Sequence, residues 1–129
     1  MLTATRTTTI LPVSNPERAS RFYTEQLGLT PLGREADGTL TFQLGQGDAL
    51  GLMPAEAGAQ TEHTVLSFEV DDVAAEIREL ERRGVRFDDY DLPELKTENH
   101  IAVMGSEKAA WFHDSEGNIL CLHEGGSVR

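Results

Sequence analysis

Apolar positions along this chain alternate in a short extended run, switch to helical spacing, alternate again, and then repeat the whole cycle. Thr7-Thr8-Thr9-Ile10-Leu11-Pro12-Val13 is β-branched and reads as a first strand, with Pro12 loosening the pairing near its end. Ser14 or Asn15 then offers a helix N-cap with Pro16 at the first helical position. Ala19, Phe22, Tyr23 and Leu27 recur at helical spacing until Gly28 stops the helix. Three short extended runs follow, about 29–34, 40–44 and 49–53. They are separated by Asp37-Gly38 and Gly45-Gln46-Gly47-Asp48, residues that tolerate positive φ, and so predict an antiparallel meander. The cycle restarts with a strand over 63–70. A helix capped by Asp71 or Asp72 runs through Arg83 to Gly84, a strand spans 85–89, and a final hairpin joins 109–113 to 119–123.

The two cycles match in detail. Val13 through Gly28 is answered about 57 residues later by Val70 through Gly84, and Gly47-Asp-Ala-Leu-Gly-Leu52 by Gly117-Asn-Ile-Leu-Cys-Leu122. A half-chain repeat of this kind predicts two βαβββ modules about a pseudo-twofold axis, with equivalent positions lining any cleft between them. The expected layout is one domain, with module one at about 3–54, a linker at 55–61 and module two at about 62–125. The second cycle carries about 13 extra residues, which must fall within 91–105. An irregular segment of that length is expected to be a lid or rim of the cleft, or a plain surface loop.

Composition narrows the class. A chain of 129 residues has the size of one domain, and eleven basic against twenty-two acidic residues leave a formal charge of −11. That charge repels nucleic acid phosphates and anionic membranes, so neither is an expected partner. No stretch approaches the apolar length of a membrane span and the N-terminus lacks the apolar centre of a signal peptide, so a cytoplasmic protein is expected. Cys121, the single cysteine, cannot form an intrachain disulfide. There is no Gly-rich phosphate loop and no Gly-x-Ser-x-Gly elbow.

Val13-Ser14-Asn15, Ala19, Phe22-Tyr23 and Leu27-Gly28-Leu29, with Phe68-Glu-Val-Asp-Asp72 and Trp111-Phe-His-Asp-Ser-Glu-Gly-Asn-Ile-Leu-Cys-Leu122, resemble the vicinal oxygen chelate superfamily. That superfamily includes glyoxalase I, extradiol dioxygenases, fosfomycin-modifying enzymes and bleomycin-resistance proteins; Ser115 stands where proline is usual. The resemblance implies an α+β fold of two tandem βαβββ modules whose strongly curved mixed sheets form a U-shaped cleft, and a homodimer. It also implies that a divalent ion, where a member binds one, is held from the first and fourth strands of each module. Those positions fall here on Thr8, Gly51, Val65 and Cys121, which cannot make a set of two histidines and two carboxylates. The resemblance therefore predicts no metal and no cofactor.

The candidate ligand-binding residues are Thr8, Ile10, Met53, His63, Val65, Trp111, His113, Cys121 and His123, an apolar lining with polar groups at its edge on which a flat ligand could stack against Trp111. Strand alternation puts His63 on the face of Val65, and His123 on that of Cys121, so a displaced zinc site of His63, Cys121 and His123 is the competing expectation. Tyr90, Asp91, Lys96 and His100 are further polar groups near the insertion. The hairpin residues Asp114, Gly117 and Asn118 are expected to be structural, bonding their own backbone. Three functions remain open: a metal-independent small-molecule-binding protein, a lyase, isomerase or dioxygenase with a displaced metal, and an interaction module whose cleft has closed.

Overall fold

The computed structural model describes residues 2–125. The chain clusters into two units. The first runs through Gln60 and takes in the turn Ser115–Asn118; the second comprises the remainder from Thr61.

In the first unit, β1 (Thr7–Val13) is followed by α1 (Pro16–Arg21), then β2 (Thr30–Arg34), β3 (Leu40–Gln43) and β4 (Asp48–Pro54), and the sheet order is β1-β4-β3-β2. β1 and β4 run parallel, with Ile10 beside Gly51, and the other pairs are antiparallel. The sheet is thus mixed, as a βαβββ module requires, because α1 supplies the crossover that parallel strands need. Leu11 and Val13 of β1, Leu50 and Leu52 of β4 and Phe42 of β3 are buried with Ala19, Phe22 and Tyr23. Alternation leaves Thr8 and Ile10 on the opposite, open face.

Asn15 caps α1 by accepting the Arg18 amide at 3.0 Å, and Pro16 sits at the first helical position as expected. The helix does not run evenly to Gly28. Residues Phe22–Gln26 form a π-helical turn, closed by the Leu27 amide on the Phe22 carbonyl at 3.1 Å. The wider turn keeps Phe22 and Tyr23, adjacent in sequence, both buried with rings edge to face at 5.2 Å.

The second unit repeats the pattern with β5 (Thr64–Glu69), α2 (Val73–Arg82), a small ladder of β6 (Asp91–Leu92) and β7 (Leu95–Lys96), then β8 (Ala102–Met104), β9 (Glu107–His113) and β10 (Ile119–Glu124). Its four-stranded sheet has the order β5-β10-β9-β8, the same mixed arrangement as the first. Val73, Ile77 and Leu80 place one buried stripe of α2 on the sheet. Asp72 caps its start, and Gly84, at φ +92°, closes its end with bonds from Gly84 to the Glu81 carbonyl and from Val85 to the Leu80 carbonyl.

Two expectations change here. No full strand forms over 85–89: only Phe87 bridges to Phe112, with the Asp88 amide on the Trp111 carbonyl at 2.8 Å. The edge beside β9 is split, Ala102–Met104 covering one end and Phe87–Asp88 the other. The residues between leave the sheet, and they are not irregular. β6 pairs with β7, and Glu98 pairs with Ile101 around Asn99 and His100, both at positive φ. That is a two-residue hairpin turn with the backbone twist of type I′.

The turn Ser115–Asn118 does not bond only within itself. Asn118 Nδ2 donates to the Pro12 carbonyl at 3.0 Å. Glu116 accepts the Ser14 and Asn15 amides at 3.1 and 2.9 Å and the Arg18 guanidinium at 2.7 and 3.1 Å. Its side chain is fully buried. Burial alone would raise the Glu116 pKa, but the Arg18, Asn15 and Ser115 hydrogen bonds and the Arg18 charge override it and hold the carboxyl at about 2.

A depressed carboxylate stabilises the fold above its ordinary pKa and loses that contribution as pH falls toward its folded value. Glu116→Gln is therefore expected to cost about 2–3 kcal/mol at pH 7 in urea denaturation, with the gap to the wild type narrowing between about pH 4.5 and pH 2. An unchanged gap across that range would show that the charge contributes little.

Candidate functional site

The open face of the second sheet carries the densest set of chemically useful groups. Its rows follow from the strand register. Across the middle lie Ser67, Cys121 and Trp111, with Asp88 hydrogen-bonded beyond them. One row to one side holds Ile119 and His113; one row to the other holds Glu69, His123, Ala109 and Ala102. Leu120, Leu122, Ala110 and Phe112 alternate onto the opposite face and are buried with α2.

Trp111 is half-buried at the centre of this face. Tyr90, the second residue after Asp88, meets it edge to face with ring centroids 5.6 Å apart and planes at 88°. Such a contact contributes roughly 0.5–1.5 kcal/mol beyond the area it buries. Tyr90 is held from behind by reciprocal bonds with Thr97: its amide donates to Thr97 Oγ1 and its carbonyl accepts the Thr97 amide, each at 2.9 Å. Burial, then the charges of Asp88 and Cys121, push the Tyr90 phenol pKa up, so it stays a neutral donor. Asp89, Tyr90, Asp91, Lys96, Thr97 and Glu98 line a groove of about 380 Å³ at this margin.

Both histidines on the face are backed by carboxylates. His113 Nδ1 lies 2.8 Å from Asp88 Oδ2, and His123 Nε2 lies 2.8 Å from Glu107 Oε1. Cys121 is 6% exposed and its Sγ donates to the Leu122 carbonyl at 3.2 Å. Burial pushes its thiol pKa up against the opposing hydrogen bonds of Ser67 and the Ala110 backbone.

The remaining predicted residues scatter. Thr8, Ile10 and Met53 lie in the first unit, where Ile10 and Met53 are 46% and 41% exposed. Val65 is the extra residue of a register shift, since Thr64 faces Ile119 and Leu66 faces Leu120. His63 precedes β5, is exposed, and is bound to Thr61 Oγ1 at 3.0 Å. The zinc set of His63, Cys121 and His123 does not assemble. Cys121 stands opposite Ser67 and His123 opposite Glu69, four and six positions beyond His63, or roughly 13 and 20 Å along the strand. Among the described residues no three His, Cys, Asp or Glu side chains are grouped to hold an ion.

The four positions that the resemblance assigns to a divalent ion do not fit one. Val65 offers no ligand atom, and Cys121 is a buried, protonated thiol. At Gly51 an added Cβ would meet Ile10 Cδ1 at 2.7 Å and Thr39 Cγ2 at 3.1 Å, so even the first atom of a ligating side chain is crowded. Only the Thr8 hydroxyl remains, and a hard ion needs several such oxygens.

The polar partners of the face were the part that sequence reasoning missed. Asp88, Glu107 and Ser67 carry no motif, and their roles follow from register alone. Tyr90 stood in the sequence among several polar residues without a feature to rank it.

The family model for the Glyoxalase/Bleomycin resistance protein/Dioxygenase superfamily matches residues 5–122. No curated protein matches the chain by sequence. Among solved structures, the fold is similar to that of TnmS3, an antibiotic binding protein from Streptomyces sp. CB03234, with 24% identity over 98% of this chain and 99% of that one, and a TM-score of 0.69. A glyoxalase/bleomycin resistance protein from the same Streptomyces strain is 26% identical over 91% and 97% of the two chains, with a TM-score of 0.63. A mutant of the genomically encoded fosfomycin resistance protein FosX from Listeria monocytogenes, complexed with Mn(II) and 1S,2S-dihydroxypropylphosphonic acid, is 15% identical over 98% and 93%, with a TM-score of 0.69. No helix among the described residues is long and apolar enough to cross a membrane.

A buried thiol with a raised pKa reacts slowly, because only the thiolate attacks. Cys121 in the native protein is expected to label with iodoacetamide at pH 8 at least tenfold more slowly than in urea. Equal rates would mean that the thiol is open to solvent and ionised.

Proposed function

The chain belongs to the Glyoxalase/Bleomycin resistance protein/Dioxygenase superfamily, and from that premise we propose that it is a binding protein that holds an apolar or aromatic small molecule without a metal ion. The observation that carries this reading is Trp111, half-buried in the middle of an open sheet face and braced edge-on by Tyr90. A large aromatic left partly in water at the centre of a sheet, with polar groups arranged around it, has the composition of a small-molecule site. Val65, Ile119 and the buried Cys121 add apolar surface on the same sheet. A solved relative at 24% identity is described as an antibiotic binding protein, which is the kind of activity proposed here.

The metal-free part of the reading rests on donor chemistry. Thr8, Gly51, Val65 and Cys121 supply one hydroxyl and one protonated thiol between them, and His63 lies too far along β5 to join the last. Catalysis through a displaced ion therefore has no ligand set to support it among the described residues. The proposal includes the homodimeric assembly that the family resemblance implies. A cytoplasmic location fits the single cysteine and the acidic composition.

The remaining segment has a place in this reading. Tyr90 opens the 89–101 excursion, so the excursion acts as a rim that positions the phenol against Trp111.

Trp111 is the only tryptophan, so its fluorescence reports on the site directly. A screen of aromatic ligands should find compounds that quench it, and Trp111→Ala should weaken their binding at least tenfold by calorimetry while the circular dichroism spectrum is retained. Affinity should be the same in chelator as in buffer supplemented with zinc, manganese, iron and nickel. Unaltered affinity in Trp111→Ala would remove the tryptophan from the site, and strict dependence on an added ion would overturn the metal-free reading.

A further inference from the structure

We propose that the open face of the second sheet takes a flat phenolic aromatic with hydroxyl groups at opposite ends, each received by a carboxylate-backed histidine. The inference rests on the binding reading above and adds the chemistry of the ligand.

The two histidines stand on either side of the Trp111 row. His113 lies two positions beyond Trp111 along β9. His123 pairs with Ala109, two positions before it. The rows are thus four positions apart, roughly 13 Å at a strand rise of about 3.3 Å per residue, with the indole midway. A pair of linked or fused rings with a hydroxyl at each end is about that long once its hydrogen bonds are counted.

The carboxylates decide which atom each imidazole presents. Asp88 Oδ2 lies 2.8 Å from His113 Nδ1, a negative charge that favours the ring proton on that nitrogen and an acceptor at Nε2. Glu107 sits against His123 Nε2 and leaves Nδ1 as the acceptor. A neutral imidazole held this way presents a ring nitrogen that seeks a donor. A phenol meets that need: its hydroxyl donates to the ring nitrogen while its face stacks on Trp111.

Charge argues against the alternatives. Asp88, Glu107 and Glu69 share the face with the two imidazoles. Arg86, one residue before the Phe87 bridge, is exposed and makes no ion pair among the described residues. The register puts that guanidinium in the His113 row, where it is outnumbered by the three carboxylates, so a carboxylate or phosphate ligand meets net negative charge on this face. The Tyr90 phenol, already seated against Trp111 and kept protonated by burial and by Asp88, is a phenol of the chain's own at the same surface.

The test uses three probes of one shape with the full chain: 4,4′-dihydroxybiphenyl, 4-hydroxybiphenyl and 4,4′-dimethoxybiphenyl, titrated by Trp111 fluorescence and by calorimetry. The bis-phenol is expected to bind at least tenfold more tightly than the dimethoxy compound, with the mono-phenol between them. His113→Leu and His123→Leu should each reduce the bis-phenol to the level of the mono-phenol and leave the dimethoxy affinity unchanged. Equal affinities for the bis-phenol and the dimethoxy compound would overturn the phenol inference while leaving aromatic binding intact. Absence of binding by all three would overturn both. An advantage of the bis-phenol that survives both histidine substitutions would assign its recognition elsewhere and sink the role given to these two residues.

Discussion

One buried carboxylate organises the first half of this fold. Glu116, from the turn between β9 and β10, accepts two amides at the start of α1 and the guanidinium of Arg18, about one hundred residues earlier in the chain. The first amides of a helix have no partner within it, and a buried junction needs them satisfied. Asn118 completes the junction by donating to the Pro12 carbonyl, the last carbonyl but one of β1. The end of β1 and the entry to α1 are thus fixed by a segment that neither precedes nor follows them closely. The path of β1 fixes in turn where Thr8 and Ile10 stand.

Much of this was legible in the sequence because the physics that writes it is local. β-branched residues marked β1, Ser14 or Asn15 and Asp71 or Asp72 marked helix starts, and Gly28 and Gly84 marked helix ends, where both have positive φ. The repeat located the extra residues of the second half. The illegible parts all depend on register. Which face His63, Cys121 and His123 share is a matter of odd and even positions, but how far apart they lie depends on where β5 begins to pair with β10, and a bulge at Val65 shifts it. The roles of Glu116 and Asn118 were invisible for a similar reason: a hairpin turn looks self-sufficient until the strand that it reaches is known. Tyr90 acquires its place only because the edge strand breaks after Asp88.

In the proposed reading, binding outlasts coordination on this scaffold. A metal site needs four or more donors converging within a fraction of an ångström, and losing one cripples it. An aromatic platform needs one exposed ring and dry neighbours. Gly51, with Ile10 folded against it, and Cys121, buried beside Ser67, convert two coordination positions into packing. Two histidines on the second sheet have a carboxylate 2.8 Å away, and His123 is hydrogen-bonded to its own.

The split edge beside β9 has a consequence for aggregation. An edge strand presents a row of unpaired amides and carbonyls that can template another chain, most dangerously where it is long, flat and apolar. Val103 and Met104 are 66% and 47% exposed on such an edge. Because the chain departs after Asp88 and returns only at Ala102, the strand offering that edge is three residues long. A run so short gives an incoming strand too few hydrogen bonds to offset the entropy of ordering it. The excursion that carries Tyr90 to Trp111 thereby also blunts the β8 edge of its sheet, and closing the gap into a continuous strand would trade a guarded surface for one prone to stacking into fibrils.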